Sequence, residues 1–456
     1  MTGQKGVGVG SGGHEPETTG GYVRRVPTLR SNRVIVAGEV RPATIRHEGG
    51  TIVDIVDGMA EVDYGDLVVM PGLVDSHVHV NEPGRTSWEG FATATRAAAA
   101  GGTTTIIDMP LNSLPPTVDP EGLRLKREAA RGNISVDVAF WGGLIPGSDG
   151  HLEDLVAEGV CGFKSFMVDS GVPEFPPLAL TALRSALEKL AGLGVPSLVH
   201  AEHPDEVCAF EGDVRSYGSY LASRPARAES EAARDLSALA AETGAHVHVL
   251  HVASGEAAGV IGSSSLTGET CPHYLTFAAE EIPDGATVFK CAPPIRGAEE
   301  REALWDALIT GALAMVVSDH SPAPPEVKEV VSGNLARAWG GISSLQLRLQ
   351  ATWTGASERG MGPAALTRWL TAAPAKLAGL DQVKGSIAVG LDADFVVWDP
   401  DGITEVRGEA LEHRHPLTPY QGMRLRGRVE RTILRGEIAF AAGRVVPGRG
   451  RMLRRR

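Results

Sequence analysis

Short apolar runs and Ala-rich amphipathic stretches alternate through the middle of the chain, between residues 71 and 375. Eight of the apolar runs have the length and the flanking turn residues of β-strands, at 73–79, 103–109, 135–141, 161–167, 197–201, 246–252, 268–274 and 312–319. Helical stretches lie between several of them, at 90–100, 120–131, 178–193, 229–243 and 299–308. Strands that alternate with helices favour parallel β/α units. The pattern predicts an α/β fold, a (β/α)8 TIM-like barrel, with a doubly wound sheet as the alternative.

The two ends of the chain have a different pattern of residues, without the alternating helical stretches. Short apolar runs separated by Gly and Pro read as β-strands at 34–36, 51–56, 67–70, 394–398 and 429–434. We therefore predict one small β-sandwich domain built from residues 23–70 and 379–446, beside a barrel of residues 71–378. The polar, Gly-rich residues 1–22 are expected to be disordered, and residues 447–456 to form a solvated basic tail.

Composition and charge narrow the functional classes. No run in the 456 residues approaches the ~18 consecutive apolar residues of a membrane helix, and no apolar signal core is present at the N-terminus. A net charge of -13 argues against a nucleic-acid partner. The cysteines form no C-x-x-C pair, which favours a reducing, cytoplasmic location; they are Cys161, Cys208, Cys271 and Cys291.

Polar residues sit where the predicted barrel strands end. The first strand closes in His77-Val78-His79, an i, i+2 pair that points both imidazoles to one face. Later strands end in His200, His251 and Asp319. Because active sites of such barrels form at the carboxyl ends of the strands, these side chains are candidate ligands of one metal centre.

Lys164 lies in the fourth strand, between Phe163 and Phe166. An unmodified ammonium there would be costly to bury and would repel cations. Two interpretations stay open on the residues alone. The lysine reaches solvent or pairs with an acid, or it is carboxylated by carbon dioxide, which turns a cation into an anion with two oxygens able to bridge metals.

Several motifs together resemble the cyclic amidohydrolase branch of the amidohydrolase superfamily. The resemblance extends over residues 33–440, and its motifs are residues 71–79, 81–85, 88–91, 101–105, 108–113, 162–164, 200–202, 248–251, 269–275 and 318–322.

This resemblance implies a binuclear metal hydrolase. His77, His79 and Asp319 would hold one divalent ion and His200 and His251 the other, with carboxylated Lys164 bridging them. Zinc suits imidazole and carboxylate ligands best, and cobalt, nickel, manganese or iron are compatible. Asp319 would act as general base and then general acid.

Departures from individual relatives indicate the substrate. Asn81 stands where dihydroorotases usually carry arginine, and Asp169 where hydantoinases and dihydropyrimidinases usually carry tyrosine. The motifs therefore resemble the members that open allantoin to allantoate in purine and ureide nitrogen catabolism. Asn81, Asn112 and Arg85 are the expected substrate contacts, although Asn112 is equally well explained as a turn residue.

Two other functions remain as alternatives. One is a hydantoinase or dihydropyrimidinase-like cyclic amidase, and the other is a non-catalytic scaffold, which would have no reason to keep all six ligands. The expected partners are a small-molecule substrate and further copies of the same chain, as a homotetramer or homodimer by analogy with relatives. No nucleic acid and no membrane is expected.

Overall fold

A computed structural model describes residues 28–455, so the predicted disordered tail at 1–22 lies outside the described residues. The strands are β1 Thr28–Val36, β2 Glu39–Glu48, β3 Thr51–Val56, β4 Val62–Asp63, β5 Val68–Pro71, β6 Leu73–Val78, β7 Thr103–Asp108, β8 Asp137–Phe140, β9 Gly142–Gly143, β10 Phe163–Phe166, β11 Ser197–His200, β12 Val247–Val249, β13 Thr267–Thr270, β14 Met315–Val316, β15 Phe395–Glu405, β16 Arg424–Leu434, β17 Glu437–Ala441 and β18 Arg444–Val445.

The α-helices are α1 Phe91–Ala100, α2 Pro120–Ala130, α3 Leu152–Ala157, α4 Leu180–Leu193, α5 Tyr217–Ser223, α6 Ala226–Thr243, α7 Gly255–Gly262, α8 Pro272–Thr276, α9 Ala298–Thr310, α10 Arg348–Glu358, α11 Ala364–Thr367 and α12 Ala373–Leu377. Local chemistry fixes several ends. Asp119 caps α2 by accepting a hydrogen bond from the amide of Gly122 at 2.7 Å. Gly194 ends α4 in the left-handed conformation, at φ 66°. Across the described ranges, no helix is both long and apolar enough to cross a bilayer.

The barrel is a ring of parallel strands. β6, β7 and β8 pair in that order, and β9 to β14 pair in order along the other arc. β8 and β9 are one barrel strand interrupted at Trp141, so the ring contains the eight predicted strands. A parallel bridge between Val78 and His320 closes it. The predicted barrel is confirmed, and its closure places β14 beside β6.

Both ends of the chain meet in one sheet, as predicted. β5 pairs in parallel with β1 and antiparallel with β15, and this joins the N-terminal strands to the C-terminal ones. The resulting nine-stranded sheet has the order β18-β17-β16-β15-β5-β1-β2-β3, with β4 beside β1. Its own apolar core includes Leu29, Ile45, Val69, Phe395 and Ile433.

The C-terminal basic segment differs from the expectation of a solvated tail, and that expectation is wrong for residues 450–455. Met452 bridges Val138 in parallel, and the amide of Leu453 donates to the carbonyl of Val138 at 2.8 Å. The Arg455 guanidinium donates to carbonyls of Cys161 and Leu377. A run of positive charge predicts solvation only when no unpaired backbone groups are near. Here the edge of β8 at Val138 and the carbonyls of Cys161 and Leu377 supply such groups.

A buried ionic cluster joins the barrel to the nine-stranded sheet. The Lys384 ammonium lies 2.7 Å from Asp137 of β8, 2.8 Å from Asp392 and 2.6 Å from Asp394. Arg435 also pairs with Asp137. Only 1% of the Lys384 side chain is exposed, and the side chains of Asp137 and Asp394 are 0% and 7% exposed, so solvent cannot replace the ammonium as the partner of these two carboxylates.

We predict that Lys384→Met lowers the free energy of unfolding by about 3–5 kcal/mol, because it leaves buried carboxylates without their cation. Urea denaturation measures the change. The matched control is Lys189→Met, whose exposed pair with Asp149 should cost less than about 1 kcal/mol. Equal, small losses in both variants would contradict a stabilising role of the cluster.

Candidate metal centre

The six predicted ligands meet at the carboxyl ends of the barrel strands. His77 lies near the end of β6, Lys164 in β10 and His200 at the end of β11. The remaining three follow a strand within a few residues, and they are His79, His251 and Asp319. All six are buried, with relative exposures between 0% and 7%.

Short distances connect these side chains. Asp319 Oδ1 lies 3.1 Å from His77 Nε2 and 3.5 Å from His79 Nε2. His77 Nε2 also lies 3.2 Å from Lys164 Nζ. On the other side of the centre, His200 Nδ1 lies 3.0 Å from His251 Nε2. The fold therefore brings together every ligand that the sequence predicted.

Two of these residues adopt backbone conformations that are uncommon outside glycine. His251 has φ 38° and Asp319 has φ 43°. Left-handed conformations of this kind cost free energy in non-glycine residues and persist where the surrounding structure enforces them. Both lie just beyond their strands, where the chain turns away from the barrel and the side chain stays at the centre.

Two buried glutamates that the sequence analysis did not assign orient the histidines. Glu269 Oε1 lies 2.6 Å from His77 Nδ1, and Glu202 Oε2 lies 2.6 Å from His200 Nε2. Arg224 in turn donates to Glu202. Each carboxylate engages one ring nitrogen and leaves the other facing the centre. A signal for Glu269 was present, since it is a charged residue in a buried strand.

Burial and mutual charge set the protonation of the cluster. Burial lowers the pKa of His79 to about 3 and the pKa of Lys164 to about 8. Burial acts to raise the pKa of Asp319, but the attraction and hydrogen bonding of the histidines hold it well below its ordinary value. Burial also acts to raise the pKa of Glu202, but Arg224 and His200 outweigh it and lower that pKa to about 2.

The donor set fits divalent cations. One atom each from His77, His251 and Asp319 lies within 4.8 Å of the others. His251 Nδ1 is buried and has no hydrogen-bond partner in the described part of the chain. Mixed imidazole and carboxylate sets of this kind suit zinc and the neighbouring transition metals. The chain thus has candidate metal-binding residues at the expected place.

Lys164 has neither of the ordinary partners of a buried lysine. Its side chain is 1% exposed, so it does not reach solvent. No carboxylate lies within ion-pair distance of Lys164 Nζ in residues 28–455. The nitrogen lies 3.2 Å from His77 Nε2 and 5.0 Å from the centre of the Phe166 ring. The fold therefore gives this lysine neither solvent exposure nor a carboxylate in direct contact, while Asp319 and Glu269 attract its charge from farther away.

A cavity of about 320 Å³ opens above the centre. Asn112 lines it, and Asn112 Oδ1 is buried without a donor among the residues that the structure describes. Asn81 and Arg85 lie behind Asn112. Asn81 Oδ1 accepts from Asn112 Nδ2 at 3.0 Å, while Arg85 donates to the Asn112 carbonyl and pairs with Glu174. Of the three predicted substrate contacts, only Asn112 lines the cavity.

Comparison with known proteins gives the family. The amidohydrolase family profile matches residues 68–439. A curated protein named allantoinase from Streptomyces avermitilis is 48% identical over 94% of this chain and 98% of its own length. A second protein of that name, from Arabidopsis thaliana, is 44% identical over 91% of this chain and 88% of its own.

A solved structure agrees with these sequence matches. The L-hydantoinase (dihydropyrimidinase) from Arthrobacter aurescens superposes with a TM-score of 0.88 at 29% identity, and the match covers 95% of this chain and 100% of that one. The family match spans most of the chain, including the barrel and much of the nine-stranded sheet. The chain therefore belongs to the amidohydrolase family, whose members depend on metals.

Proposed function

We propose that this chain hydrolyses the cyclic amide of allantoin to allantoate with the help of two divalent cations. The observation that carries the proposal is the convergence of all six ligands, buried, at one end of the barrel. The choice of allantoin as the substrate is supported by relatives named allantoinase, which are 48% and 44% identical to this chain. A scaffold protein would gain nothing from burying this costly cluster.

The residues divide into two ligand groups around Lys164. His77, His79 and Asp319 would hold one cation, and His200 and His251 the other. Zinc is the preferred metal, with cobalt, nickel, manganese or iron as compatible substitutes. When bound, such a pair polarises a carbonyl and lowers the pKa of water towards neutrality.

Carboxylation of Lys164 completes the ligand set in this proposal. Buried Nζ has no acid partner in the described ranges, and it lies 3.2 Å from a ligand histidine. An ammonium in that position would oppose cation binding, whereas a carbamate would carry a negative charge and two oxygens. The same position therefore changes from repelling cations to bridging them.

Asp319 is the proton carrier. Asp319 is 7% exposed and lines the cavity, so its carboxylate lies between the histidines of the centre and the space that a substrate would occupy. It would accept a proton from the attacking water and deliver that proton to the ring nitrogen as the amide bond breaks. Glu269 and Glu202 hold the histidines in the required orientation during the reaction.

The ureido arm of allantoin separates it from simpler cyclic amides. Asn112 lines the cavity, and its buried Oδ1 is an acceptor without a donor in the part of the chain described. A ureido N–H would satisfy it. Asn81 and Arg85 then serve to hold Asn112 in place, which modifies the direct contact first expected of them.

We also propose a cytoplasmic location and a homotetrameric or homodimeric assembly. The absence of a C-x-x-C pair supports the cytoplasmic location, and analogy with the oligomeric state of relatives supports the assembly.

The function is tested by turnover of metal-loaded protein against four substrates: allantoin, hydantoin, dihydrouracil and dihydroorotate. We expect the highest kcat/KM for allantoin, because only its ureido arm satisfies Asn112. Preference for hydantoin or dihydrouracil would favour the alternative of a hydantoinase or dihydropyrimidinase-like enzyme. The structural similarity to the L-hydantoinase from Arthrobacter aurescens is the reason to include these substrates.

We predict that Asp319→Asn lowers kcat by about 100- to 10 000-fold, since an amide cannot carry the proton. Metal content, measured on the same sample, separates loss of proton transfer from loss of a ligand. Exposed Asp381→Asn is the control and should keep the wild-type rate. A fully metallated Asp319→Asn variant with the wild-type rate would refute the assignment.

We predict that Glu202→Gln weakens metal binding about 10- to 100-fold, because His200 loses the carboxylate that fixes its ring. Competition with a chelator measures the affinity. Glu121→Gln, at an exposed glutamate that pairs with Arg124, is the matched control. Equal affinities in the two variants would show that Glu202 does not support the ligand.

A further inference from the structure

Four cationic side chains line the cavity, and one of them has no assigned role. Lys164 belongs to the metal centre. Arg224 is held by Glu202 at 2.9 Å, and Arg337 lies 3.0 Å from Glu329. Lys290 has no carboxylate within ion-pair distance in residues 28–455. Outside the metal centre, it is therefore the cation of this cavity that the described residues leave without a carboxylate partner.

The Lys290 ammonium is held in place but not saturated. It donates to the carbonyl of Ala338 at 2.6 Å and lies 5.2 Å from the centre of the Tyr220 ring. An ammonium has three donors, so further hydrogen bonds remain open to an occupant of the cavity. Burial, together with nearby Arg224, lowers the pKa of Lys290 to about 8, which leaves it largely charged at neutral pH.

The backbone around Lys290 is fixed from two sides. The Tyr220 hydroxyl donates to the carbonyl of Cys291 at 2.6 Å. Buried Lys328 donates to the carbonyls of Lys290, Trp339 and Gly341, at 3.1, 2.9 and 2.8 Å. The wall that presents Lys290 is thus ordered before any substrate arrives, and a hydrogen bond from it costs little further ordering.

The unpaired donors and the unpaired acceptor of the cavity complement a ureido group. Asn112 offers an acceptor without a donor, and Lys290 offers donors without a carboxylate. A ureido group carries N–H donors and a carbonyl acceptor, so it complements both. We propose that Lys290 is a specificity-determining residue that donates a hydrogen bond to the ureido carbonyl of the substrate. The inference rests on the proposed function.

The test compares a substrate that has the ureido arm with one that lacks it. For Lys290→Met we expect the ratio of kcat/KM for allantoin to that for hydantoin to fall about 10- to 100-fold, the loss typical of a hydrogen bond to a charged group. Lys290→Arg should recover most of the ratio. If hydantoin is not hydrolysed, its inhibition constant against allantoin replaces its kcat/KM.

Arg337→Met is the matched control, because it removes another cation that lines the cavity, one whose charge is already paired with Glu329. The ratio should stay near the wild-type value in this variant. Thermal denaturation checks the folding of each variant, and Lys290→Arg keeps the test open if Lys290→Met does not fold.

A Lys290→Met variant that loses both substrates equally, or a Lys290→Arg variant with a ratio as low as that of a folded Lys290→Met, would overturn the inference. Failure of the proposed function is seen separately. It would appear as wild-type protein that prefers hydantoin to allantoin, whatever the variants do.

Discussion

The burial of six ionisable side chains, the proposed metal ligands, at the carboxyl ends of the barrel strands is the constraint on which the rest of this structure depends. Desolvated charges and imidazoles are unfavourable unless other groups engage them. Glu269 and Glu202 engage the outer nitrogens of two histidines, and Arg224 engages Glu202. The atoms on the inner side have no such partners. Burial of the cluster is therefore unfavourable in the metal-free protein and would be offset by a bound metal ion.

Closure of the barrel is what brings the ligands of the first and last strands together. Buried Arg348 donates to the carbonyls of Val74 in β6 and Val316 in β14. Asp75 Oδ1 accepts from the amides of His77 and Ser318, at 3.2 Å each. These bonds fix β6 against β14, and they hold His77 close to Asp319.

The substrate cavity follows a similar principle, in which buried polar groups order the backbone that forms its walls. Lys328 gathers three carbonyls on one wall, and Arg85 with Asn81 holds Asn112 on another. In the proposed function, few groups contact the substrate, and the other polar residues nearby position those groups. Lys290 and Asn112 are two cavity residues whose hydrogen-bonding capacity the described protein leaves incomplete.

The pattern of apolar and polar positions predicted the eight barrel strands and five of the described α-helices, and with the family motifs it predicted the six candidate ligands. Strand periodicity is local, and parallel strands bring their carboxyl ends to one edge whatever their distance along the chain. Residues 77, 79, 164, 200, 251 and 319 could therefore be grouped from the pattern of strands and the family motifs alone. Three contacts are visible only in the tertiary structure. Glu269 contacts His77, 192 positions away in the sequence, and Arg85 pairs with Glu174. The basic C-terminal segment packs against the barrel. Each of these is a contact between loops or strand faces whose approach depends on how the whole ring closes, and no local pattern encodes it.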